Sequence, residues 1–262
     1  MRVTDSRKVR EKHVSMKFLS RVAPSVIAAA MTLFLATPAH ASELILNGGF
    51  EAGLSSWTRV DSPGSDGTFF LQTGTVSPVN ADPVPAPPGG IRAAMSDAQG
   101  PGSHVLYQDF IVPLLISSAT LDFALLVNNH AGMFVTPAVG LDFSTPALNQ
   151  QARVDILRGG TDPFSVAGAD VLLNLFQTMP GNSFALAYLA QSADLTALFG
   201  AHAGETLRLR FAEVDNVFTF QLGVDNVSLT TVASEAVPEP ASLLLIGTGL
   251  AALGARRLRR QS

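Results

Sequence analysis

Between residues 206 and 224 the sequence is written in twos, and this constrains the fold more than anything else in the chain. In Thr206-Leu207-Arg208-Leu209-Arg210-Phe211, the residues Leu207, Leu209 and Phe211 share one face of an extended chain while Arg208 and Arg210 take the other, because successive side chains of a strand point to opposite sides. Phe218-Thr219-Phe220-Gln221-Leu222-Gly223-Val224 repeats the alternation. The intervening Glu213-Val214-Asp215-Asn216 carries turn chemistry, so the two runs read as a hairpin. After Val224 the apolar phase slips: Val227 and Leu229 are odd where Phe218 to Val224 are even, which predicts a bulge near Asp225-Asn226. Segments 68–73, 91–96, 104–112, 119–128 and 151–157 are further strand candidates. Two patches read as helical: the densely apolar 169–178, and a short turn over 194–199 with Asp194 as N-cap. Five prolines in the fourteen residues 77–90 make an exposed loop that cannot pair as a central strand. The expectation is an all-β domain over 42–233, an antiparallel β-sandwich with one or two short helices at an end or edge.

Both ends of the chain are written differently. Lys17 and Arg21 flank a charged start, 22–35 is an apolar core, and Ala39-His40-Ala41 satisfies the small-x-small rule, so 1–41 reads as a signal peptide cut by signal peptidase before Ser42. Met16 stands as an alternative start, because 1–15 is strongly basic. At the other end, segment 234–262 holds Val237-Pro238-Glu239-Pro240, an uncharged apolar run over 241–255, and the basic residues Arg256, Arg257, Arg259 and Arg260. As a hydrophobic helix the run spans roughly 22 Å, short of the roughly 30 Å of a bilayer core. It suits a brief membrane tether better than a permanent span. The four arginines favour a cytoplasmic end, and the two prolines keep the preceding stretch extended and accessible.

With both ends set aside, residues 42–238 hold six arginines against eighteen acids, a net charge of −12 where the whole chain shows −4. Such a surface repels nucleic acid and suits calcium and neutral sugars. The chain has no cysteine, which excludes disulfides, thiolate catalysis and thiolate metal sites.

The order turn motif, apolar run, basic end at the C-terminus resembles the PEP-CTERM sorting signal of Gram-negative bacteria. The resemblance implies export across the inner membrane, a transient tether through the C-terminal helix, processing by an exosortase, and delivery to the cell surface or extracellular matrix. Proteins with this tail tend to occur where exopolysaccharide is made.

The body opens with Leu44-Ile45-Leu46-Asn47-Gly48-Gly49-Phe50-Glu51 followed by Trp57, and closes with Gly223-Val224-Asp225-Asn226-Val227-Ser228-Leu229. This pair of ends resembles the jelly-roll carbohydrate-binding and galactose-binding-like domains. The resemblance implies that opening and closing strands lie side by side and that Glu51 and Asp225, with the Asn47 carbonyl, hold a structural Ca2+. Asn226 stands where many such domains have a second acid. Two carboxylates brought together would repel, and a hard cation with six to eight oxygen ligands bridges them. The alternative is a plain turn at Asn47–Gly49 with Glu51 solvated. Trp57 reads as core packing.

No His-Glu-x-x-His or Gly-x-Ser-x-Gly pattern is present. His104, His130 and Asp122 could be imagined as a metal cluster, Asp142 and Asp155 as a glycosidase pair, and Tyr107 with Gln108 and His104 as a binding face. Nothing in their spacing requires any of these. The expectation is a non-catalytic exported surface or matrix protein, related to biofilm or exopolysaccharide and in contact with glycan. The alternatives are a surface polysaccharide hydrolase and a ligand-free coat protein.

Overall fold

The computed structural model describes residues 41–135, 140–182, 186–234 and 249. The signal peptide up to His40, the sorting motif Val237–Pro240 by residue, the apolar run 241–255 apart from Gly249, and the basic residues after it lie outside the described residues. So does Ala39 of the cleavage site, whereas Ala41 and Ser42 open the first strand. Among the described residues no helix is long and apolar enough to cross a membrane.

Within residues 41–234 the described elements are, in order, β1 (Ala41–Glu43), β2 (Thr58–Asp61), β3 (Thr68–Thr73), β4 (Arg92–Asp97), β5 (Gly102–Ile111), β6 (Ile116–Asn129), β7 (Gln150–Arg158), β8 (Val171–Gln177), β9 (Leu189–Asp194), the short helix α1 (Thr196–Ala201), β10 (Thr206–Asp215) and β11 (Phe220–Ala233). One sheet has the order β3-β4-β11-β6-β9, with β1 also paired to β11. The other has the order β2-β5-β10-β7-β8. All pairings are antiparallel, so the domain is an all-β sandwich as its alternating sequence demands.

The odd-numbered residues Leu207, Leu209 and Phe211 of β10 face the even-numbered Leu222 and Val224 of β11 in one continuous core. Aromatic rings stitch the two layers: Phe50 to Trp57 at 5.4 Å, Trp57 to Phe211 of β10 at 5.9 Å, and Phe211 to Phe123 of β6 at 5.6 Å between centroids. Trp57 is buried in that chain, and its indole N–H donates to the Asn47 carbonyl. This gives the buried ring's one polar atom a partner.

Several local expectations give way to tertiary structure. β10 and β11 do not form a hairpin; they belong to different sheets, and residues 216–219 cross between layers. Asn216 holds that crossing, its amide donating to the carbonyls of Phe143 and Ala147 and its carbonyl accepting from Asn149 N–H. Residues 171–177 form edge strand β8 rather than a helix. A dense apolar run does not separate the two by period, and here β7 presents a free edge that β8 pairs through two irregular steps. The helix begins at Thr196, with Leu195 at the cap position. Asp194 still serves it, accepting the Thr196 N–H at 2.8 Å, and the Thr196 hydroxyl and amide hold the Asp194 carboxyl below its ordinary range. Loop 77–90 has no ladder, yet it is not free of the body. Val84 is buried against Met95 and Leu126, and the carbonyl of Pro85 accepts from Gln72. The bulge falls where the phase slip put it, between Asp225 and Ser228, with Asn226 at φ 52°.

Candidate functional site

The opening turn and the bulge of β11 meet. Val227 N–H donates to the Gly48 carbonyl at 3.0 Å, and a Cβ on Gly48 would lie 1.8 Å from the Val227 carbonyl oxygen. Only glycine allows this approach. Asn47, at φ 53°, ties the turn together: its amide nitrogen donates to the carbonyls of Gly53 and Ser55 and its side-chain oxygen accepts from Ala52 N–H.

Glu51 and Asp225, 174 positions apart in sequence, reach the same place from opposite ends of the chain. The end of the proline-rich loop passes between them. Asp225 accepts from Gly89 N–H at 2.9 Å, and Glu51 Oε1 accepts from the N–H groups of Ile91 and Arg92 at 2.8 and 3.0 Å. A Cβ on Gly89 would lie 2.0 Å from Asn226 Oδ1, and one on Gly90 2.2 Å from Glu51 Oε1. Burial pushes the Asp225 carboxyl up, against the pull of the Gly89 and Asn226 N–H groups, and the Glu51 charge adds to the rise.

For Ca2+ this locus fits in part. Two mutually repelling carboxylates are what a hard cation bridges. The Asn47 side-chain oxygen, however, is committed to its own turn, and backbone N–H groups already supply part of the positive charge that the carboxylates need. Loop 77–90 was not legible as a partner of this site. The Gly89-Gly90 pair was the available signal, since adjacent glycines mark close backbone approach as well as turns.

The other sequence candidates separate. His104 and Gln108 point inward and are buried, Gln108 exchanging hydrogen bonds with the backbone of Leu46. Tyr107 points outward beneath the Arg208 guanidinium, 3.7 Å from its ring centroid. The three therefore form no common face, as their odd and even numbers already require. His130 stands by Asp82 at 3.5 Å and Gln221 at 3.2 Å, and among the described residues it joins no metal-capable group with His104 and Asp122. Asp155 is locked between Arg153 and Arg210, while Asp142 accepts from Ser144 in a loop.

A pocket of about 290 Å3 opens where edge strands β8 and β9 approach, lined by Leu125, Phe176 and Leu189 together with the amides of Gln177, Asn182 and Gln191. Its described lining carries no titratable side chain. Sequence patterning missed it because 171–177 read as a helix.

Comparisons with known proteins fall on the two parts of the chain separately. Solved structures similar to the body include a CBM61 carbohydrate-binding module in complex with β-1,4-galactotriose, at 11% identity over 72% of this chain and 97% of that one, TM-score 0.40. The K3 cleaved adhesin domain of Lys-gingipain from Porphyromonas gingivalis matches at 14% identity over 72% and 98%, TM-score 0.43. A CBM4 structure matches at 14% identity over 71% and 99%, TM-score 0.37. No curated protein sequence matches the chain. Residues 236–260 match the family model of the PEP-CTERM protein-sorting motif. The motif implies export, exosortase processing and membrane-anchored sorting towards the cell surface. The chain therefore joins a two-sheet antiparallel β-sandwich to a C-terminal segment, residues 236–260, that carries the PEP-CTERM protein-sorting motif.

Proposed function

We propose that this chain is a non-catalytic protein of the cell surface or extracellular matrix of a Gram-negative bacterium. It is exported by its signal peptide, held briefly in the inner membrane by residues 241–255, and released to the surface by an exosortase. The observation that carries this reading is the sorting-motif match at 236–260. In a host with an exosortase, Glu239→Ala should leave the protein unprocessed and in the membrane fraction. Equal mass and location for variant and parent would defeat the sorting route.

A second element of the reading is contact with neutral glycan, in keeping with an exopolysaccharide or biofilm matrix. It is supported by the β8–β9 pocket, whose apolar walls and side-chain amides suit an uncharged polyhydroxy ligand. The absence of titratable groups from that lining favours binding over hydrolysis. A glycan array on the full chain in detergent, followed by a turnover assay on any glycan retained, tests both. Cleavage of the glycan would replace this reading with that of a surface hydrolase, and an empty array would leave a structural coat protein. We also place a structural Ca2+ between Glu51 and Asp225; a melting midpoint indifferent to millimolar Ca2+ would remove it.

A further inference from the structure

Extending the parity of Leu207, Leu209 and Phe211 along β10 brings Glu213 and Asp215 onto the inner face of the sandwich. On β5 the same face continues from Phe110, Gln108 and Leu106 to His104. The ladder sets Glu213 directly opposite His104 and Asp215 opposite Gly102. All three side chains are buried: His104 is 0%, Glu213 1% and Asp215 3% exposed. One ligand atom from each lies within 4.8 Å of the others.

The hydrogen bonds of this cluster leave a gap of one kind. His104 Nδ1 lies 2.7 Å from the half-exposed Asp61 carboxylate. With its N–H placed on Nδ1 toward that carboxylate, the neutral ring presents an Nε2 lone pair to the cluster. That Nε2 has no hydrogen-bond partner, and neither does Glu213 Oε2. Nε2 stands 3.7 Å from Glu213 Oε1, too far for a hydrogen bond. Two buried acceptors thus face each other with no donor between them, an arrangement that costs free energy unless something electropositive joins them.

The surroundings do not supply it. Asp97, in the opposite sheet, spends its oxygens on Val79, Asn80, Ala98 and Gln221. Among the described residues no lysine or arginine pairs with Glu213 or Asp215.

Two further features suit an ion. Gly102 makes room for the imidazole, since a Cβ there would lie 2.3 Å from His104 Nε2. A cavity of about 230 Å3 has Asp215 in its lining, together with Gln99 and Thr219.

We propose that His104, Glu213 and Asp215 form a buried site for a first-row divalent cation of the zinc class, bound by one imidazole nitrogen and two carboxylates. Mixed imidazole and carboxylate donors suit such an ion, and Asp61 on Nδ1 completes the carboxylate–histidine–metal arrangement that orients a ligating ring. Ligand atoms about 2.0–2.2 Å from the metal require a small inward rotation of these side chains. The site is separate from Glu51 and Asp225, which belong to the opening turn and to the bulge of β11.

The full chain, purified in detergent, stripped with chelator and reloaded with Zn2+, should retain one equivalent after desalting and melt several degrees higher. His104→Gln, Glu213→Gln and Asp215→Asn should each weaken Zn2+ binding at least tenfold, whereas Glu51→Gln should not. X-ray absorption at the zinc edge of the parent should show one imidazole among oxygen ligands, a readout that does not depend on the variants folding. Substoichiometric Zn2+ in the folded parent, a shell without imidazole, or binding that survives all three substitutions would overturn the proposal.

Discussion

Two buried carboxylates on neighbouring strands meet opposite fates. Asp155 of β7 and Glu213, three residues beyond Arg210 on β10, are both shut from water. They lie on opposite faces of the same sheet. Asp155 accepts from Arg153 at 2.7 and 2.6 Å, from Arg210 at 3.2 and 2.5 Å, and from Asn174 at 2.8 Å. The remaining Arg210 donors reach the carbonyls of Pro163 and Ser165. Burial holds the Arg210 guanidinium below its ordinary range while the Asp155 charge pulls it back up. Glu213 has the Ser96 hydroxyl, an imidazole and another acid beside it, and its Oε2 has no partner. The same sheet therefore carries one charge cluster that balances itself and one that is short of positive charge.

That contrast can be broken at either cluster. The larger effect is expected at the balanced one. Arg210→Met leaves Asp155 buried without two of its five hydrogen bonds, and breaking a buried pair in this way costs about 3–5 kcal/mol. The shift of the urea midpoint of the full chain in detergent reads it, and a loss under about 1 kcal/mol would show the pair to be no more than a surface bridge. A smaller effect of opposite sign is expected at the other cluster. In the metal-stripped chain, Glu213→Gln removes a charge beside Asp215 and brings an amide that can donate to His104 Nε2. It should stabilise by about 1 kcal/mol, the worth of one hydrogen bond. A loss comparable to that of Arg210→Met would mean that the Glu213 carboxylate is already satisfied by protein alone.

The contrast also separates what the sequence could tell from what it could not. Strand β3 is legible to the residue, and the bulge at Asp225-Asn226 is legible from a change of phase, because both are written in local alternation. The inward placement of Glu213 and Asp215 was legible too. Continuing the odd parity of β10 puts them on the core face, but their acidity made them read as a turn. The burial of Arg208 and Arg210 was not legible. It depends on loop 159–170 folding over the outer face, where the carbonyls of Thr161, Pro163 and Ser165 receive the guanidinium donors. Alternation says which side a residue takes, not what covers that side. At the Glu51–Asp225 end the pairing of the two acids was carried by resemblance, whereas the Gly89 strap between them is a contact 136 positions apart that no local pattern records.

The place of β11 has a mechanical consequence. It runs fourteen residues through the middle of its sheet, flanked by β4 and β1 on one side and β6 on the other. A load applied to the chain beyond Ala233 enters the domain through this strand. Interstrand hydrogen bonds lie across the strand direction, so drag on the domain is shared among the rungs of the β11 ladders in shear instead of peeling them one at a time. A domain loaded through its last strand in this manner yields only when many rungs give way together.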